Sequence, residues 1–209
     1  YTTATANRRV RVMTLCLPCV ANAHQVYSAL DVDAIASSIA KHACQSLLDG
    51  RPVHDSREAV VGHLLQAMRS YRAAYYQGQS PLNSHGLALP TTLEVLPLYV
   101  LALLKSAMLT QERVRPDHRA ALLCAARALP ACALLKMFHP RLYDLTPLAE
   151  QEQEQKQQEM EKLPMLPLTE TALQEGHVYL LESTHMLGVY GHGTCSPSLV
   201  NTLFGVGSI

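Results

Sequence analysis

No excess of charge of one sign is present: seventeen Lys and Arg balance seventeen Asp and Glu in 209 residues. Net charge therefore advertises neither a nucleic-acid nor an anionic-lipid partner. No long hydrophobic run is present either. The greasiest stretch, from Glu94 to Lys105, holds ten uncharged residues between its charged ends and includes Pro97. A membrane-spanning helix needs roughly 20 apolar residues, so this run excludes itself as an anchor and reads as a buried helix, apolar around its circumference, at the centre of a helical core. The phosphate-cradling pattern GxxxxGK[ST], the dinucleotide pattern GxGxxG and the nucleophile elbow GxSxG are all missing, which removes the common nucleotide-binding and hydrolase classes. A secretory leader is also lacking, and the chain begins at Tyr1 without Met, as part of something longer would.

Six cysteines are scattered along the chain, and Cys44, Cys124 and Cys132 sit among Ala and Leu in helical contexts. There Cys behaves as a small hydrophobe, which fits a reducing, cytosolic setting better than a disulfide framework. The charge balance hides an asymmetry: residues 1–145 hold fifteen basic against nine acidic side chains, and 146–209 hold two against eight. Two units with different surroundings are expected, though opposite signs can also simply attract within one molecule.

Periodicity divides the chain. Residues 8–17 alternate polar and apolar and predict a strand. From Asp31 the period becomes helical: Val32, Ile35, Ile39, Ala43 and Leu47 share a face that Asp49 and Gly50 terminate. A second helix is predicted from Asp55, with Glu58 reaching back and a face of Val61, Leu64, Leu65, Met68, Tyr71 and Tyr75. Residues 77–90 are loop chemistry, the greasy stretch predicts a helix over about 91–110, and Pro116 with Asp117 starts another that Pro130 breaks. The run 150–162 has one apolar residue in thirteen, so it reads as a solvated linker or insertion. Beyond it come a short turn at 168–173, two strands at 177–182 and 186–190, and a helix from Ser198 closed by Gly205.

Chemistry-bearing residues are few. Cys16 and Cys19 form half of a zinc knuckle or a redox pair, but no second pair of ligands follows at knuckle spacing, so end-of-strand packing is the expectation. Cys195 lies near His185 and His192 in sequence, without an orienting carboxylate, and turn chemistry accounts for it. Arg113, Arg115 and Arg119 surround a helix start and read as a solvated face rather than a phosphate site. Ten histidines are dispersed, with no HxxxH or HExxH. No catalytic, cofactor-binding or metal site is assigned, and an interaction role rather than an enzyme is expected.

The segments RVRVMTLCLP (9–18), DVDAIA (31–36), LPTTLEVLPLYVLALLKS (89–106), PDHR (116–119), HPRLY (139–143), GHVYLLE (176–182) and LFGV (203–206) form one ordered series. In that order the chain resembles the C-terminal third of the Sec-twenty-four family, the cargo-adaptor subunit of the COPII vesicle coat. The resemblance implies a mainly α fold: the end of a β-sandwich (1–21), a helical domain (22–140) and a truncated gelsolin-like domain (141–209) carrying the acidic insertion. It implies a structural role in endoplasmic reticulum to Golgi transport. The implied partners are a sister coat subunit, a small coat-recruiting GTPase, cargo and SNARE export signals, and a membrane touched peripherally, with no nucleic acid. The implied location is cytoplasmic, at endoplasmic reticulum exit sites and on COPII vesicles. The family's structural zinc belongs to an upstream domain, so no cofactor is expected here. The GTPase-activating sister subunit shares the architecture; under that reading Arg113 or Arg115 would act on the GTPase. An actin-severing gelsolin relative is the third reading, and the helical region has no counterpart there. The family's gelsolin-like strand ends in an aromatic-rich signature, where this chain has Leu187, Gly188, Val189 and Tyr190 and no Trp at all. Glu175 and Glu182 are too few and too scattered for a calcium site.

Overall fold

The computed structural model describes residues 2–16, 19–75, 89–149, 163–195, 199, 201 and 205. The loop read at 77–90 and the acidic run at 150–162 lie almost wholly outside the described residues, as does most of the helix read from Ser198.

Among the described residues six helices come first: α1 (Ala23–Ser28), α2 (Val32–Leu48), α3 (Val53–Tyr75), α4 (Leu96–Lys105), α5 (Pro116–Ala128) and α6 (Ala131–Phe138). The hub is α2. Asp31 caps it by accepting from the amides of Asp33 and Ala34, and Gly50, at φ +82°, closes it in a conformation that costs glycine little. Its buried face, Ala36, Ile39, Ala40, Ala43 and Cys44, is mostly small, which lets neighbouring helices come close. The hub packs against α3, α4, α5 and α6. Two polar groups on it reach distant segments: Ser37 Oγ donates to the Ala131 carbonyl (3.5 Å) and the Cys44 thiol to that of Leu123 (3.3 Å). Tyr27 of α1 meets Tyr71 edge-on, with centroids 5.2 Å apart, and accepts at its carbonyl from Thr92 Oγ1 (2.8 Å).

A four-stranded antiparallel sheet follows, in the order β2-β1-β3-β4, made of β1 (Arg141–Asp144), β2 (Met165–Leu166), β3 (Val178–Glu182) and β4 (Leu187–Gly191). The short helix α7 (Thr146–Ala149) and a 3-10 turn (Glu170–Ala172) lie between β1 and β3. The two strands expected at 177–182 and 186–190 are present, paired with Leu180 opposite Val189. The strand at 141–144 was not foreseen: four residues are too few to display an alternation.

Three expectations are corrected. Residues 9–16 form no strand; only an isolated bridge joins Thr2 and Arg8, and Val10 and Val12 are 91% and 86% exposed. The alternation is real, but a strand needs a ladder partner, and none stands beside it among the described residues. Helix α3 begins at Val53, not Asp55, because the Pro52 carbonyl accepts the first helical bond, from Ser56. Its buried face accordingly runs through Val60, Leu64 and Tyr71, leaving Val61 and Leu65 half-exposed. Helix α4 is ten residues long rather than about twenty, and it is not enclosed: Leu98 and Leu101 are each 48% exposed, while Leu96, Val100 and Leu103 are buried. Turns take over at both ends, and Leu93, Met108 and Leu109 of those turns are fully buried.

Burial separates the leucines of one helix. Leu103→Ala should lower unfolding stability by about 2–5 kcal/mol, whereas Leu101→Ala should cost less than about 1 kcal/mol, as read from urea midpoints.

Candidate functional site

The ends of α4 show how the buried turns are satisfied. A helix leaves its last carbonyls without intrahelical partners, and burying them unpaired is costly. Arg57, one turn into α3, donates through one guanidinium nitrogen to the carbonyls of Leu104 (2.5 Å) and Leu109 (2.8 Å). Arg119 of α5 donates to those of Ala107 (3.4 Å) and Thr110 (2.9 Å). Of the three arginines weighed as an anion site, Arg119 is therefore committed to the backbone. Arg115 is 85% exposed and lies 3.6 Å from Asp117, and Arg113 is exposed. The three are not gathered on one ligand.

The other candidates separate as well. All six cysteines are free; Cys16 and Cys19 are exposed. The Cys195 thiol points at the His177 carbonyl (3.6 Å), while the His192 ring is held by Tyr190 Oη (3.0 Å), and His185 is exposed. Gly191 lies so close to Cys195 that an added Cβ would stand 2.9 Å from its sulfur. This is turn packing, as read from the sequence, and no nucleophile-base pair forms. Glu175 packs against Gly193, which has φ +71°, and Glu182 faces Lys136, so the two carboxylates are not gathered for a cation. Among the described residues no group of three or more His, Cys, Asp or Glu is placed to hold a metal ion.

What the structure does build is a polar seam between the helices and the sheet. Lys136 of α6 pairs with Glu182 Oε1 at the end of β3, and Tyr143 Oη of β1 donates to Oε2 (3.4 Å). The turn after β3 caps the same helix: Ser183 Oγ donates to the Lys136 carbonyl (3.2 Å), and Thr184 Oγ1 donates to that of Ala133. His139, between α6 and β1, meets Tyr99 of α4 edge-on at 5.2 Å. Behind the seam His177 Nδ1 lies 2.8 Å from Asp144 Oδ2, and Thr146 donates its amide to Asp144 Oδ1 (2.9 Å). Such a set of partly buried, mutually satisfied groups fixes the orientation of the sheet on the helices. Sequence reasoning missed it because its members are 46 residues apart in the case of Lys136 and Glu182.

Three of these groups have displaced titrations. The Lys136 hydrogen bond, only partly opposed by burial, holds the Glu182 carboxyl below its ordinary 4.5. Burial pushes Asp144 up, but its bonds from His177 and Thr146 together prevail and leave it below 3.8. Burial keeps His139 below 6.5. In each case the folded protein binds its proton less readily than the unfolded chain, so the stability these groups contribute is present at neutral pH and lost on acidification. Unfolding midpoints in urea should fall gently as pH drops below 6.5, then more steeply below 4.5 and 3.8. Glu182→Gln should start lower at pH 7 and flatten the acidic limb.

The description "Sec23/Sec24 helical domain" belongs to the family model that matches residues 31–136, just over half of the chain. Mouse protein transport protein Sec24A is 30% identical over 208 residues, covering 99% of this chain and 19% of the relative. Human protein transport protein Sec24B is 29% identical over 207 residues, with 98% and 16% covered. The crystal structure of the human COPII-coat protein Sec24c superimposes with a TM-score of 0.76 and 25% identity, over 93% of this chain and 23% of that one. The chain thus spans about a fifth of the length of the relatives it matches. With the helical hub, the short capped α4 and the seam to the sheet in view, the chain belongs to the Sec23/Sec24 helical domain family.

Proposed function

We propose that this chain is a structural part of a cargo-adaptor subunit of the COPII inner coat, supporting cargo selection and vesicle budding between endoplasmic reticulum and Golgi. The observation that carries the reading is the likeness to human Sec24c, which runs through the helices and the sheet alike at a TM-score of 0.76. The capped α4 and the Lys136–Glu182 seam favour a role in holding surfaces in register rather than in reacting. In this reading 1–21 finishes a β-sandwich, 22–140 is the helical domain and 141–209 opens a gelsolin-like domain. The division is supported by the helices of Ala23–Phe138 and by the sheet that begins at Arg141. The chain uses no cofactor and no catalytic residue, and the family's structural zinc sits in another domain. Its partners are the sister coat subunit, the recruiting GTPase, and export signals on cargo and SNAREs. It works on the cytoplasmic side of endoplasmic reticulum exit sites; no helix among the described residues is long and apolar enough to cross a membrane.

The rival reading makes it the GTPase-activating sister, with Arg113 or Arg115 entering the GTPase site. The similar proteins carry the Sec24 name, which favours the adaptor.

The full-length protein, mixed with the sister subunit, the GTP-loaded GTPase and liposomes, should co-float with the membranes. Added alone, it should change GTP hydrolysis by no more than about twofold, against the 10³–10⁵-fold that an arginine finger supplies. Strong stimulation by the protein alone, abolished by Arg115→Ala or Arg113→Ala, would transfer the assignment to the sister.

A further inference from the structure

The antiparallel pair α2–α3 carries a ladder of facing side chains along one open cleft of about 270 Å³. On α2 the lining residues His42, Ser46 and Asp49 recur at helical spacing, and on α3 Ser56, Ala59 and His63 do the same. One rung is the Ser46–Ser56 hydroxyl pair (2.8 Å). The next is a pair of imidazoles: the His42 and His63 rings have centroids 5.7 Å apart at an interplanar angle of 59°. These two histidines are 21 positions apart (63 − 42), which is why no local spacing motif announces them.

We propose that His42 and His63 form a cross-helix site for a first-row divalent transition metal such as zinc or nickel. An imidazole nitrogen binds zinc at about 2.0–2.1 Å, which places each ring centroid about 3.2 Å from the ion and two centroids about 5.2–5.6 Å apart. The observed separation meets this with a small rotamer adjustment, and both rings are exposed and free to make it. Neutral imidazole is the ligand form, and among the described residues no hydrogen bond or ion pair occupies either ring. Two imidazoles leave the remaining positions of a tetrahedral ion to water, so the site is open. Asp49 and Arg51 are the charged groups lining the cleft. Their charges offset each other, and Asp49 already accepts from Gln45 Nε2 (2.7 Å), so the two rings carry the binding. A bound ion would bridge α2 and α3 on the side away from the core.

Zinc chloride titrated calorimetrically into the chain bearing Cys16→Ser, Cys19→Ser, Cys124→Ser and Cys132→Ser tests this without competition from the exposed thiols. One equivalent should bind, the His42 and His63 ring resonances should shift first, and EDTA should reverse both effects. His42→Asn or His63→Asn should each weaken binding by at least about tenfold, since even outer-shell losses at metal sites cost about 10–100-fold. Unchanged circular dichroism should confirm that these exposed substitutions leave the fold intact. Absence of uptake, or uptake that survives both histidine variants with the ring resonances unmoved, overturns the site.

Discussion

Two guanidinium groups decide where α4 stops. A helix that ends inside a protein must find donors for its last carbonyls, and a turn that follows it into the core has the same need. Arg57 and Arg119 meet both needs at once, from helices on either side. Because they do, Met108 and Leu109 can be fully buried immediately after a helix terminus. The position of α5, the closing of the core around Leu103 and the course of the chain into α6 all follow from that stop. At Arg119, which reaches its two carbonyls through two different nitrogens, lysine could not substitute, since one compact ammonium does not span two separated carbonyls as a planar guanidinium does.

The parts of this fold that were legible in the sequence are those whose signal is local. Asp31 before an apolar period, Gly50 after it, Pro116 at a helix start and Pro130 at a break each act within a few residues, and each does in the structure what its chemistry dictates. The limits of α4 were illegible because the residues that set them lie up to 52 positions away, as Arg57 does from Leu109. Apolar composition alone extends that helix to about twenty residues; a turn at 91–95 and the turns that Arg57 and Arg119 hold beyond Lys105 leave it ten. The half-exposure of Leu98 and Leu101 follows the same logic, since a short helix at the edge of a bundle is covered on one side only. Residues 9–16 show the converse case: the alternation is legible, but pairing depends on a neighbour.

Candidate chemistry was legible chiefly in its failure. Cys195 with His185 and His192, and Arg119 with its neighbours, were proximities of sequence that the fold spends on turn packing and backbone satisfaction. The seam of Lys136, Glu182, Tyr143 and Ser183 was invisible because ion pairs between separate elements leave no spacing pattern. A half-buried charge pair of this kind with accessory hydrogen bonds adds little net stability over an apolar contact.

The central place of α2 carries a consequence for synthesis. Its buried face is completed by α5 and α6, and Ser37 awaits a carbonyl at Ala131. On a ribosome adding about 5–20 residues per second, the 83 positions from Leu48 to Ala131 take roughly 4–17 seconds to appear. Throughout that interval the small-residue face of α2 has only part of its covering. A stall in synthesis between α3 and α5 would leave that face partly uncovered for as long as the stall lasted.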